Sequence, residues 1–127
     1  MNGNAVRCGA LLILAMSCCA AAPKPVRIDV TMIDYRFLPG QVTFEHGVHY
    51  RLHLENRGKE THEFTAPDFI KSARVRNPKM LNMDQTEVVI QPGEAKDFYF
   101  VPKTAGHFQL ICGDHDWAGM VGAITVE

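Results

Sequence analysis

Apolar and polar residues alternate along several short segments of this chain. In VRIDVTMIDY, Val26, Ile28, Val30 and Met32 alternate with mostly polar residues, and the same period of two returns in VHYRLHLEN and KDFYFV. Such a period, with one apolar face, is typical of β-strands that pack against a second layer. Turn-forming dipeptides separate the segments: Pro39-Gly40, Arg57-Gly58, Pro92-Gly93 and Ala105-Gly106.

These patterns predict an all-β fold for residues 23–127, a Greek-key antiparallel β-sandwich. The least regular part is residues 65–86, where we expect a short strand over residues 70–76 followed by a loop. No amphipathic helix is predicted after residue 22. The length suits one domain with one modest core.

The amino terminus has a different pattern. Arg7 is its only charged residue, a short apolar run follows in CGALLILAMSCCA, and three alanines precede Pro23. A basic start, an apolar stretch and small residues at the end predict a secretory signal peptide over residues 1–22. We therefore expect export to the periplasm.

Two other interpretations of this segment stay open. An uncleaved anchor or a buried first helix is less expected, because a membrane span needs about 20 apolar residues. A lipid anchor on Cys18 or Cys19 is the second, since Ser17 suits a lipoprotein cleavage site. Against it, Ala15 stands where a leucine is usual.

Cleavage after residue 22 would change both the charge and the cysteine content. The chain has 13 basic and 14 acidic residues, so loss of Arg7 leaves 12 basic residues and a net charge of −2. We expect a monomer with no nucleic-acid partner and no transmembrane span in the mature form. Of four cysteines only Cys112 would remain, and a lone thiol in an oxidising compartment is a liability unless it is buried, paired or metal-bound.

The segment ICGDHDWAGM, between the last two predicted strands, carries the candidate chemistry. It contains Cys112, His115 and Met120. A thiolate, an imidazole and a thioether favour copper over calcium or magnesium, and a type 1 copper site adds a second histidine. Among six histidines we choose His62, because it lies where the chain leaves one predicted strand and begins another extended piece, HEF.

At these residues the chain resembles the cupredoxins, small periplasmic blue copper proteins of the plastocyanin and pseudoazurin type. FLPGQVTFEHGVHYRLHLENRGKETHEF resembles their first half, and QPGEAKDFYFVPKTAGHFQLICGDHDWAGMVGAITV their second, with its Cys-x2-His-x4-Met spacing. The resemblance implies one type 1 copper ion with the ligands His62, Cys112, His115 and Met120. It also implies single-electron transport, without enzymatic chemistry, between redox partners such as a c-type cytochrome or a copper oxidoreductase.

Two positions depart from the pattern of many family members. Glu63 stands where asparagine directly follows the first histidine, and Asp114 stands where proline precedes the second. Outer-shell hydrogen bonds orient ligands and tune the metal. These changes therefore concern the reduction potential more than the ligand set.

The resemblance also implies that the electron leaves through the edge of His115, which lies near the surface in the family. One interpretation is that Trp117, Ala118 and Phe64 form a contact patch, with the aspartates that flank His115 steering a basic partner. The other is that Trp117 packs into the rim of the sandwich and the aspartates only solvate the loop. We expect the second.

Two further functions are alternatives to electron transport. A copper carrier or storage protein would use the same ligands, with Met80 and Met83 offering thioethers to Cu(I). A copper oxidase or reductase domain is less expected, because multicopper oxidases flank the cysteine with histidines and this chain has Ile111 and Gly113 there.

Overall fold

The structure is a computed structural model that describes residues 20–127. Residues 1–19 of the predicted signal peptide, residues 1–22, lie outside this range, and so do both candidate lipid-anchor cysteines. The signal peptide and the lipid anchor therefore stay predictions. Within residues 20–127, no helix has the length and hydropathy that a bilayer crossing requires. The strands and the helix follow in the order β1 Val26–Ile33, β2 Arg36–Leu38, β3 Gln41–Phe44, β4 Tyr50–Asn56, β5 His62–Thr65, α1 Pro67–Ser72, β6 Ala73–Val75, β7 Glu87–Ile90, β8 Ala95–Pro102, β9 Gly106–Ile111 and β10 Val121–Val126.

Two five-stranded sheets form a sandwich, which confirms the predicted all-β fold. One sheet has the order β2-β1-β4-β8-β6, and the other has the order β3-β10-β9-β5-β7. The apolar faces of β1, β4 and β8 point between the sheets: Val30, Met32, Leu52, Leu54 and Phe98 are all almost completely buried.

The sheets are mixed rather than antiparallel throughout. β1 runs parallel to β4, with Val26 opposite Tyr50 and Met32 opposite Asn56, and β3 runs parallel to β10. Alternation in sequence reports which face a residue occupies, but it carries no information about the direction of the neighbouring strand. Parallel neighbours need a long connection, and the chain supplies one by placing β2 and β3 between β1 and β4.

The core is rich in aromatic side chains. Phe44 packs against Tyr50, Phe69 and Phe100, with ring centroids 4.8, 5.6 and 5.0 Å away. Aromatic pairs at these separations add to the stabilisation from burial alone. Phe44 belongs to one sheet and Tyr50 and Phe100 to the other, so these contacts hold the two sheets together.

The segment after β5 differs from the sequence prediction. Residues 70–72 belong to helix α1, so the strand predicted over residues 70–76 is wrong there and correct at Ala73–Val75. Pro67 occupies the first turn of the helix, where a missing N–H costs nothing. Burial of Phe69 and Ile70 stabilises a helix too short to be visible as a periodic pattern.

Candidate metal centre

Residues 112–120, which we call the ligand loop, connect β9 to β10 and carry three predicted ligands. The Cys112 N–H donates to the Met120 carbonyl at 2.9 Å, the His115 N–H to the Cys112 carbonyl at 3.1 Å, and the Met120 N–H to the His115 carbonyl at 3.2 Å. Gly119 has a φ of 83°, a left-handed conformation that favours glycine. The backbone of the loop therefore fixes the three predicted ligands relative to one another.

His62 reaches the same place from the first residue of β5. It pairs with Ile90 of β7 in the sheet and is completely buried. The next backbone N–H, that of Glu63, donates to Cys112 Sγ at 3.4 Å. The strand therefore fixes the first histidine and supports the cysteine sulfur at once.

The donor atoms of His62, Cys112 and His115 converge, lying within 4.8 Å of one another. Cys112 Sγ is 3.7 Å from His62 Nδ1 and 3.5 Å from His115 Nδ1. Three donors in a plane around an ion, each about 2.0–2.3 Å from it, would lie about 3.5–4.0 Å apart. The observed separations of the sulfur from the two nitrogens therefore suit a bound metal ion.

Met120 completes the set of donors at this end of the sandwich. Its side chain is completely buried, as is that of Cys112, and both belong to the core. Two imidazoles, one thiolate and one thioether are the donors of type 1 copper sites, in which the thioether is a weak, distant ligand. The cluster of His62, Cys112, His115 and Met120 is consistent with a type 1 copper site.

Glu63 ties the two ligand-bearing segments together. Its Oε2 accepts a hydrogen bond from the Asp114 N–H at 3.1 Å and another from the Cys112 thiol at 3.1 Å. In many members of the resembled family, an asparagine makes such a tie at this position. Here a buried carboxylate makes it instead.

The surroundings of Cys112 favour its protonated form while no metal is bound. Burial raises the pKa of the thiol to about 12, and the Glu63 carboxylate beside it acts in the same direction. The backbone N–H groups of Glu63 and Asp114 oppose this rise. A metal that binds here as a thiolate complex must therefore displace a firmly held proton.

Three residues from two turns, Asp34, Tyr35 and Glu60, enclose the outer edges of both histidines; we call them the histidine cover. His62 Nε2 lies 2.7 Å from Asp34 Oδ1, and His115 Nε2 lies 2.6 Å from Glu60 Oε2. An ionised carboxylate can only accept a hydrogen bond, so Nε2 of each ring carries the proton. Each Nδ1 then keeps its lone pair toward the cysteine sulfur.

The Tyr35 ring closes the cover over His115. The two ring centroids are 4.9 Å apart, and the Tyr35 hydroxyl donates to Glu60 Oε1 at 2.9 Å. That hydrogen bond raises the pKa of Tyr35. The pKa of Asp34 is lowered, mainly by the hydrogen bond from the Lys59 backbone N–H and to a smaller extent by the one from His62. The side chain of His115 is 12% exposed, less open than the family resemblance implied.

The histidine cover was not predicted from the sequence. IDY and GKE contain no metal-binding spacing and look like solvated turns. Tyr35 and Glu60 are separated by 25 residues, and Asp34 and His62 by 28. No local signal relates residues so far apart.

The surface beside the ligand loop differs from expectation at two residues. Trp117 is 79% exposed, so the prediction that it packs into the rim of the sandwich is wrong. Phe64 is completely buried against Phe37 and cannot belong to a contact patch. Asp114 and Asp116 are exposed, which leaves an aromatic and acidic surface without Phe64.

The two methionines considered for Cu(I) handling have different environments. Met83 is completely exposed, whereas Met80 is partly buried and packs against the hydrophobic core. Their proposed assistance in copper transfer stays a prediction.

Comparison with known proteins identifies the relatives of this arrangement. The sequence profile of the Cupredoxin-like domain family matches residues 7–126. Among solved structures, auracyanin B is 16% identical, with 84% of this chain and 93% of that chain aligned at a TM-score of 0.60.

Two further auracyanin structures are similar. Dithionite-reduced auracyanin from the photosynthetic bacterium Roseiflexus castenholzii is 13% identical, with 83% of this chain and 99% of that chain aligned at a TM-score of 0.61. Auracyanin A is described as a "blue" copper protein from the green thermophilic photosynthetic bacterium Chloroflexus aurantiacus. It is 16% identical, with 82% of this chain and 100% of that chain aligned at a TM-score of 0.60. No curated protein sequence matches this chain significantly. At these identities the structural matches establish a shared fold.

Proposed function

From the premise that this chain belongs to the cupredoxin-like family, we propose that it is a blue copper protein that carries single electrons between redox partners. Its ligands are His62, Cys112, His115 and Met120. These four residues would hold the copper ion, which would supply one-electron chemistry between Cu(II) and Cu(I).

The convergence of two Nδ1 atoms on one buried sulfur is the observation that carries this proposal. Both imidazoles already present their lone pairs to the sulfur, because their Nε2 protons are held by carboxylates. His62, Cys112 and Met120 are completely buried, so a substrate has no open approach to them. This favours electron transfer to an outside partner over catalysis at an open coordination position.

The protein contributes rigidity. The ligand loop is closed by its own backbone hydrogen bonds, and Glu63 N–H and Oε2 fasten it to β5. A site whose ligands are held in one arrangement needs little rearrangement when its charge changes by one. Fast, reversible electron exchange follows from that rigidity.

We propose that the partner docks on the surface beside His115. Trp117 offers an exposed aromatic face, and Asp114, Asp116 and Glu60 add exposed acidic groups. An acidic rim steers a basic protein, such as a c-type cytochrome, toward the nearest edge of the metal centre. The predicted export to the periplasm would place the protein among such partners.

Charge reversal tests this docking surface. The double variant Asp114→Lys/Asp116→Lys should lower the rate of reduction by a basic cytochrome at least about tenfold at low salt, with the difference shrinking as salt rises. Asp84→Lys is the control, since Asp84 is exposed but lies outside the acidic rim. Equal rates for the double variant and the control, at every salt concentration, would exclude steering by the rim.

The electron-carrier function is tested by redox cycling in the presence of a copper chelator. The copper-loaded protein should pass through repeated reduction and oxidation in a one-electron potentiometric titration without losing copper. A copper carrier would instead release Cu(I) to the chelator within the first cycles. That second outcome would contradict the electron-carrier proposal.

A further inference from the structure

We propose that Asp34 and Glu60 are positioning residues that set the preference of the metal centre for Cu(II) over Cu(I). Each carboxylate accepts the Nε2 proton of one histidine, and so acts on the metal through the ring. This inference rests on the proposed copper function, and its test separates the two.

Asp34 is fixed by more than its contact with the histidine. Its Oδ1 accepts from His62 Nε2 at 2.7 Å, and its Oδ2 accepts from the Lys59 N–H at 2.9 Å. The space beside this contact is kept free by Gly58, since a Cβ there would overlap Asp34 Oδ1 and lie 2.9 Å from His62 Nε2. The turn is therefore shaped around the carboxylate–imidazole contact.

Glu60 is fixed in a similar way, and it lies in the turn that also contains Gly58 and Lys59. Its Oε2 accepts from His115 Nε2 at 2.6 Å, and its Oε1 accepts from the Tyr35 hydroxyl at 2.9 Å. Asn56, which is completely buried, donates to the Glu60 carbonyl at 2.8 Å and thereby holds the backbone of the turn. Both oxygens of each carboxylate are thus engaged, one with a histidine and one with a group that aims it.

The chemical consequence follows from charge. A carboxylate that accepts the outer N–H of a ligating imidazole fixes its tautomer and raises its basicity. A more basic ligand, with a negative charge behind it, stabilises Cu(II) more than Cu(I). Because both histidines carry such a partner, the two effects act in the same direction and lower the reduction potential.

The test measures the dissociation constants for Cu(II) and Cu(I) in chelator-buffered copper, together with the midpoint potential. Glu60→Gln and Asp34→Asn remove one negative charge each while keeping a side-chain oxygen. Each should shift the ratio of the two constants about tenfold toward Cu(I), which is about +59 mV for one electron.

Asp84→Asn is the control, because it removes an exposed acid that makes no bond to either ring. We expect a change below about twofold for this variant, since exposed charges are screened. If Glu60→Gln and Asp34→Asn shift the ratio no more than Asp84→Asn does, the inference is overturned. A wild-type protein that gives no blue copper complex would instead contradict the proposed function.

A second measurement needs no copper. Nitrogen-15 NMR of the copper-free protein should show the proton of His62 and His115 on Nε2, and Glu60→Leu should produce a mixture of tautomers at His115 only. Because the Glu60 side chain is 48% exposed, this variant is expected to fold. A wild-type spectrum with the proton on Nδ1 of either ring would also overturn the inference.

Discussion

The ligand loop and the histidine cover meet at the same two imidazoles but are built in opposite ways. The loop brings Cys112, His115 and Met120 together through backbone hydrogen bonds within nine consecutive positions. The cover reaches His115 and His62 with side chains from two turns that are distant in the sequence. The loop supplies three of the four candidate donors, and the cover holds the outer nitrogens of the two histidines.

Because of this difference, we expect variants of the ligands and variants of the histidine cover to have different defects. Damage to the ligands should remove the metal centre, because residues 20–127 contain no second group of three such converging donors. Damage to the cover leaves a centre whose preference between oxidation states has changed. Variants in the two regions should therefore fall into distinct classes of behaviour.

Removal of His62 should have the largest effect, since both regions act on this residue. His62→Ala deletes one donor and leaves Asp34 without its partner, so copper affinity should fall by more than about 100-fold, beyond the usual cost of an outer-shell change. Copper titration against a competing chelator measures this. His107→Ala, at an exposed histidine, is the control, and equal affinities in the two variants would contradict the ligand role.

Loss of the tie between the ligand segments should have the next largest effect. Glu63→Ala removes the acceptor for the Asp114 N–H and should speed copper loss about 10- to 100-fold, as measured by stopped-flow transfer to a chelator. Glu63→Gln keeps an oxygen at that position and should lose copper much more slowly than Glu63→Ala. Identical rates for the two variants would show that the hydrogen bond to the loop does not hold the centre together.

The raised pKa of the Cys112 thiol predicts that copper affinity depends on pH. Because the pKa of Cys112 is raised to about 12, the thiol is protonated throughout the neutral range and must lose that proton on binding. Copper affinity should therefore rise with pH, by about tenfold per unit between about pH 7.5 and 9. Affinity measured in chelator buffers that is flat over this range would exclude a thiolate ligand with so high a pKa.

The smallest predicted effect probes the cover without changing either of its acids. Gly58→Ala should push Asp34 away from His62 Nε2 and raise the midpoint potential, shifting the ratio of Cu(II) to Cu(I) dissociation constants a few-fold, less than about tenfold. Gly40→Ala is the control, because a Cβ there meets ordinary contact at 3.7 Å. An unchanged potential in Gly58→Ala would show that the contact is not needed to tune the site.

The contrast also explains which parts of the centre could be predicted from the sequence. The spacing of Cys112, His115 and Met120 is visible because one short loop holds all three. His62 was chosen from its place between two predicted strands, together with the family resemblance. The alternation of apolar residues predicted the sandwich because it reports directly which face is buried.

The histidine cover was not predictable because it depends on the direction of strand pairing. Parallel β1 and β4 end at the same edge, with Met32 opposite Asn56, so the turns that carry Asp34 and Glu60 lie side by side. If these two strands were antiparallel neighbours, the turns would lie at opposite edges.

The central claim is that His62 and His115 hold copper together with the Cys112 thiolate. The most direct test is the visible and electron-spin-resonance spectrum of the purified protein after Cu(II) addition, recorded beside Cys112→Ser. We predict an intense blue colour and a small copper hyperfine splitting in the wild type, both lost in the variant. A colourless wild-type complex, or a blue colour that survives in Cys112→Ser, would contradict the account.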